Sequence, residues 1–246
     1  MSRRYWKTDR YYSQPNEQQL KSKVDETTKK AKKKGTVLEP VIIEGKDIVN
    51  SWWGKAWCEN LERYADYQSR LPRGKRYVKS GTVVDLKIEK GKVSAKVQGT
   101  RKTPYKVEIR ISPLKEEKTQ TLIQQCTKKI ENLEQLVKGT FPEELKELFI
   151  SEQGLFPTPR EISFSCSCPD WALLCKHVAA VLYGIGNRFD QNPLLFFELR
   201  GIDVNRFIDI TIENRIETML ENVDKPSKRI IEKQDYAELF GLDLDN

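Results

Sequence analysis

The only histidine of this 246-residue chain is His177, and it stands two positions after Cys175 and shortly after Cys166 and Cys168. Three of the five cysteines and the sole histidine therefore share one short segment, FSCSCPDWALLCKHVAAV, with the spacing C-x-C-x6-C-x-H. Four soft or borderline donors so close in sequence meet the requirement of tetrahedral Zn2+, which takes thiolate sulfur at about 2.3 Å and imidazole nitrogen at about 2.0–2.1 Å. A fold that satisfies this segment must bring all four side chains to one point.

The spacing also predicts the local geometry. Residues 162–166 follow Pro159 and read as a short strand. Residues two apart on a strand share a face, so Cys166 and Cys168 offer their thiols to the same point. Pro169 and Asp170 supply a turn. From 176 to 188 the spacing of His177, Val181 and Ile185, with Ala180, Tyr183 and Gly184 alongside, predicts a helix with one inward face. Cys175 and His177 then project from its first turn, where the helix dipole favours a thiolate. The result is a strand–turn–helix zinc knuckle. A Cys166–Cys168 disulfide is disfavoured, because a rise of ~3.3 Å per residue puts the two Cα atoms near the ~7 Å limit for bridging. A Cys175–His177 nucleophilic pair lacks an orienting third group and leaves two cysteines unexplained. Four protein ligands leave no open position for a catalytic water, so the metal is expected to shape the chain and not to react.

Cys166, Cys168, Cys175 and His177 resemble the ligand pattern of the SWIM zinc finger. The segments SWWGKAWCENLERYADY, RGKRYVKSG, GLFPTPREISFSCSCPDWALLCKHVAAVLYGIG and PLLFFELRGID extend the likeness to stand-alone bacterial SWIM zinc finger proteins, over roughly residues 45–210. The resemblance implies a zinc-bearing module that binds DNA or protein, without an assigned catalytic activity. It also implies a Swi/Snf-type helicase or ATPase as partner, since such proteins tend to be encoded beside one.

Composition agrees with an intracellular, cytoplasmic module. The cysteine count is odd, the first residues MSRRYWKTDRYY contain no apolar h-region, and no stretch approaches ~18 apolar residues. The net charge of +7 is unevenly spread. Residues 1–35 carry 11 Lys/Arg against 4 Asp/Glu, residues 70–110 carry 13 against 3, and residues 202–246 carry 6 against 11. Two basic blocks are opposed by an acidic C-terminal stretch.

The expected fold is α+β, a small antiparallel sheet with several packed helices and the knuckle. Residues 1–44 read as a basic tail, because their polar runs offer no face to bury. A first unit spans 45–150. Within it Trp53, Trp57, Leu61 and Tyr64 predict an amphipathic helix over 50–68, leaving Trp52 off the stripe as a candidate for base stacking. Residues 70–76 read as a basic loop broken by Pro72 and Gly74. Alternation then predicts a hairpin, Val84 to Glu89 and Val93 to Val97, with a third strand through Tyr105, Val107, Ile109 and Ile111. Leu122, Cys126, Ile130, Leu133 and Val137 predict a long helix ended by Gly139, and Pro142 opens a shorter one through Phe149. A second unit, 151–222, holds the knuckle and helices over 193–199 and 204–220. Phe207, Ile208, Ile212, Ile216, Met219 and Leu220 are expected to face inward from the last. Residues 223–246 read as an acidic tail, with an acidic–apolar stretch at 237–245. Cys58 and Cys126 have no metal spacing and read as packed thiols.

Function follows from what is present and what is missing. There is no G-x-x-x-x-G-K-[ST] motif, so the chain is not itself an ATPase motor of the P-loop kind. With its one histidine committed to zinc, no histidine base remains, and the chain is expected not to be an enzyme. Arg70, Arg73, Lys75 and Arg76 of the 70–76 segment, Lys87, Lys96, Lys106 and Arg110 on the outer face of the sheet, and Lys176 at the start of the zinc helix are candidate contacts to the phosphates of DNA or RNA. The alternative is a protein adaptor whose zinc helix and Phe196-Phe197 region dock on the ATPase, with nucleic-acid contact incidental.

Overall fold

The computed structural model describes residues 15–129, 143–151 and 154–221. The fold is α+β. Four antiparallel strands, β1 (Val83–Glu89), β2 (Lys92–Val97), β3 (Tyr105–Ile111) and β4 (Ile162–Cys166), lie in the order β1-β2-β3-β4. Gly91 turns the first hairpin in a left-handed conformation, φ 68°, which a residue without Cβ adopts at no steric cost. The edge of β1 is not bare. Val41 N–H donates to the Val83 carbonyl at 3.0 Å and Leu86 N–H to that of Glu39 at 2.9 Å, so an extended segment covers it.

One face of the sheet is apolar, with Leu86, Val93, Ala95, Val107 and Ile109 buried. Against it runs α6 (Lys176–Gln191), which is central to the core: every residue from His177 to Asn187 is buried, and so is Phe189. The expected single inward face is thus too narrow. α6 lies between the sheet, α2 (Trp52–Glu62) and α3 (Arg70–Lys79), so all its sides are covered. Gly74 permits the close approach of α3, since a Cβ there would stand 2.4 Å from that of Ala179. Trp57 is wholly buried, its indole N–H donating to the Leu182 carbonyl at 3.1 Å, with Phe156, Phe189 and Phe196 around its ring.

Several expectations change. Residues 17–33 are not tail but helix α1 (Glu17–Lys33), started by a reciprocal capping box between Asn16 and Gln19. Leu20 is its one buried residue, and Thr27 hydrogen-bonds Gln98 at 2.7 Å. Residues 70–76 are not a loop. They belong to α3, where Pro72 sits in the first turn and its missing N–H would have had no helical partner. The helix expected over 50–68 is shorter, and Trp52 is half-buried, packed edge-on against Trp53 and Phe149. Helix α4 (Glu116–Lys129) buries Leu122, Ile123 and Cys126. The rest of that predicted stripe, Gly139, Pro142 and the stretch 222–246 lie outside the described residues. α5 (Lys146–Ile150) and α7 (Leu194–Leu199) follow the predicted positions. α7 buries both Phe196 and Phe197, so these rings are core and cannot form the adaptor's docking surface. In α8 (Val204–Glu221) Phe207 and Thr211 are buried, whereas Ile216, Met219 and Leu220 are exposed instead of inward.

A buried cation ties the sheet to α7. Arg200 has no exposed surface, donates from Nη1 to the Ser112 carbonyl at 2.8 Å, and pairs through Nη2 with Glu161 at 2.9 Å. No helix among the described residues is long and apolar enough to cross a membrane.

Candidate metal centre

The four predicted ligands converge. The ligand atoms of Cys166, Cys168, Cys175 and His177 all lie within 4.8 Å of one another. Cys166 ends β4 and Cys168 follows one residue into the turn. Cys175 is the N-cap of α6, in extended conformation with φ −70° and ψ 168°, and His177 is the helix's second residue. Strand, turn and helix therefore each supply donors, as the spacing predicts.

The histidine presents Nδ1. It stands 3.9 Å from the Cys166 sulfur and 4.0 Å from that of Cys175. A tetrahedral zinc with the bond lengths above sets such edges at about 3.6–3.8 Å, so the cage is close to the size that the ion needs. The ring is held on both sides, by Tyr105 stacked at 4.2 Å and by the edge of Tyr77 at 5.5 Å. Nε2 is buried and has no hydrogen-bond partner among the described residues, which leaves Nδ1 as the donor aimed at the sulfurs. Gly99 makes room for this stack, since a Cβ there would meet the Tyr105 ring at 2.7 Å.

The backbone amides of Cys168, Asp170 and Val178 favour negative charge on Cys166, Cys168 and Cys175 in turn. Cys175 gains most. A hydrogen bond from Cys166, against the opposing effect of burial and helped by His177 and the Val178 amide, brings its thiol down to about 4. Cys166, which gives that bond, and Cys168, which is desolvated, are pushed upward. Three thiols and one imidazole in a partly buried cage fit Zn2+, with every coordination position filled by protein.

Residues 165–184 match the SWIM zinc finger. The chain is also similar to the uncharacterized protein Rv2102 of Mycobacterium tuberculosis (strain ATCC 25618 / H37Rv), 34% identical over 156 residues, which is 63% of this chain and 56% of that protein. The chain thus spans little more than half the length of this relative. No solved structure matches. The SWIM finger, its Cys3His set and Zn2+ as its fitting metal stand together on match and geometry.

The nine candidate cations separate into two groups. On the outer face of the sheet acids alternate with bases. Lys96 pairs with Asp85 at 2.8 Å, Lys87 reaches Glu39 at 3.7 Å, and Glu108 holds Arg110 at 2.6 Å and Lys92 at 3.3 Å. Lys106 alone of the four predicted there has no ion pair among the described residues. The α3 cations lie beside the knuckle. Arg70 pairs with Asp170, Nη2 donating to Oδ1 at 3.1 Å and Nε standing 3.0 Å from Oδ2. Burial pushes the Tyr77 hydroxyl up, with Arg76 and Arg73 opposing it, and the ring carries Lys176 Nζ at 5.6 Å. Lys75 turns toward α2, paired with Glu62 at 2.9 Å.

Sequence reasoning passed over the knuckle's own loop. Trp171 and Leu173 are 77% and 72% exposed, while Ala172 and Leu174 between and after them are buried. Four apolar residues in a row carry no alternation in the sequence, so only the structure separates the two that point outward.

Proposed function

We propose that the chain is a nucleic-acid-binding accessory module shaped by zinc, cytoplasmic and without catalytic activity of its own. The observation that carries this reading is the junction of the knuckle with the cationic side of α3. Arg70 is bonded directly to the Asp170 carboxylate of the metal-binding turn, and Lys176 of the zinc helix lies over Tyr77 of α3. Zinc therefore fixes a surface on which Arg73, Arg76 and Lys176 lie together, and such cations gain affinity for phosphates by releasing condensed counterions. The neutralised sheet face contributes less to this reading.

The test uses zinc-loaded full-length protein with labelled single-stranded DNA, duplex DNA and RNA at two salt concentrations. Binding should weaken with salt by a log–log slope of about 0.9 per phosphate contact on duplex and about 0.7 on single strands. Absence of binding to all three probes at low salt overturns the reading.

A Swi/Snf-type ATPase is the partner we propose, supported by the resemblance of the knuckle and its flanking segments to proteins encoded beside such motors. Tagged protein should recover the ATPase from nuclease-treated lysate of the native host. Recovery that disappears on nuclease treatment would show that shared DNA, and not contact, joins them.

A further inference from the structure

The tip of the knuckle is built to hold an aromatic ring in water. Its loop alternates, sending Ala172 and Leu174 into the core and Trp171 and Leu173 outward. Three anchors fix it. The Asp66 carboxylate accepts the amides of Leu173 and Leu174 at 2.8 and 3.2 Å, Arg70 grips Asp170, and Cys168 and Cys175 bound the loop on either side at the metal centre. Trp171 meets Tyr67, itself 40% exposed, edge-on with centroids 5.1 Å apart. The core has no need of this indole, since Trp57 and the phenylalanines around it are fully enclosed elsewhere. A rigid loop that keeps its largest apolar side chain in solvent presents it to something.

The neighbours indicate what. The Arg70 guanidinium lies 5.8 Å from the Tyr67 ring centre, and Arg73 lies one turn further along the same helix face. Arg73 and Lys176 have no ion pair among the described residues. The nearby acids are already engaged, Asp66 by loop amides and Asp170 by Arg70. An exposed aromatic ring at the end of a row of cations matches the backbone and the unpaired bases of a single strand, where stacking and phosphate contact act together. Bases in a duplex are already stacked and closed to a flat platform.

We propose that Trp171 and Tyr67 form a base-stacking platform for single-stranded nucleic acid, with Arg73 and Lys176 holding the adjacent phosphates. This rests on the nucleic-acid reading above and narrows it to a strand form and a contact residue.

The experiment compares zinc-loaded wild type, Trp171→Ala and Trp171→Phe on labelled oligo(dT) and on a duplex hairpin, with zinc content checked for each. Trp171→Ala should weaken oligo(dT) binding roughly tenfold or more, the range for loss of one stacked base, while hairpin binding changes less than about twofold. Trp171→Phe keeps a ring and should retain most of the affinity. It should also lose the part of the tryptophan fluorescence quenching that oligo(dT) causes in wild type. Wild type that binds neither probe overturns both this proposal and the broader reading. Wild type that binds both, with Trp171→Ala equal to it on oligo(dT) and quenching unchanged in Trp171→Phe, overturns the platform alone and leaves the loop as a surface for another class of partner.

Discussion

Tyr105 lies over the imidazole of His177, ring centroids 4.2 Å apart and planes inclined by 28°. Tyr105 begins β3 and His177 stands in the first turn of α6, so the stack joins sheet and helix at the metal centre. Among the described residues no hydrogen bond to Nε2 orients the ring, and its two aromatic neighbours take over that task. Metal sites lose affinity when groups that orient a ligand are removed, typically 10- to 100-fold. Tyr105→Ala should therefore raise the zinc dissociation constant by about that factor in chelator competition, whereas Tyr105→Phe should stay near wild type. Equal loss in both variants would assign the effect to the hydroxyl.

Removing the metal should unfold the knuckle and spare most of the core. Structural zinc contributes folding free energy directly. Yet α6 continues for nearly four further turns beyond His177, buried against the sheet, α2 and α3. Chelation, or Cys168→Ser, should speed amide hydrogen exchange across residues 163–178 and leave the Trp57 region protected. Exchange that rises uniformly would mean that the zinc holds the whole domain together.

The cations beside the knuckle should differ from those on the sheet. Arg73→Glu with Lys176→Glu should flatten the salt dependence of nucleic-acid binding by roughly 0.7–0.9 per lost phosphate contact. Lys96→Glu removes a partner of buried Asp85 and should cost stability more than affinity. An unchanged slope in the double variant would move the phosphate path elsewhere.

How far each feature could be foreseen depended on whether its cause was local. The zinc ligands were legible because strand period and helix start, both properties of a few neighbouring residues, bring Cys166, Cys168, Cys175 and His177 together. Three strands of the sheet were legible from alternation, whereas the pairing of β4 with β3, in register Ile109 to Phe164, joins segments far apart in sequence and had no local signal. Helix α3 was hidden by Pro72 and Gly74. Both read as breakers, but one sits harmlessly in the first turn and the other is needed for contact with Ala179. Helix α1 was hidden because it buries only Leu20; the Asn16–Gln19 capping box was the available signal. The exposure of Ile216, Met219 and Leu220 has no local signal, since their spacing is that of an ordinary buried stripe. Nor has Arg200, whose ion-pair partner lies 39 residues away.

The Arg200–Glu161 pair gives stability a specific acid dependence. Burial alone would raise the Glu161 carboxyl, but the Thr158 amide and the Arg200 guanidinium outweigh it and hold the group below its ordinary 4.5. A carboxyl depressed in the folded state contributes stability that is complete above the unfolded value and is lost as pH falls through the folded one. The loss therefore belongs below pH 4.5. Glu161→Gln removes the charge at every pH and leaves the fully buried Arg200 with only neutral acceptors, the Ser112 carbonyl and the new amide oxygen. A fully buried cation that loses its counter-charge is destabilised, and the partial exposure of Glu161 tempers the loss, so the variant should unfold at lower denaturant at pH 7. The difference between wild type and Glu161→Gln should then shrink as both are taken below pH 4.5, because wild type loses by protonation what the variant never had. Measuring the difference at each pH removes the loss of zinc, which acid imposes on both proteins alike. A gap that stays constant down to pH 3 would show that the carboxylate's charge does not stabilise the fold and that Glu161 acts through its shape alone.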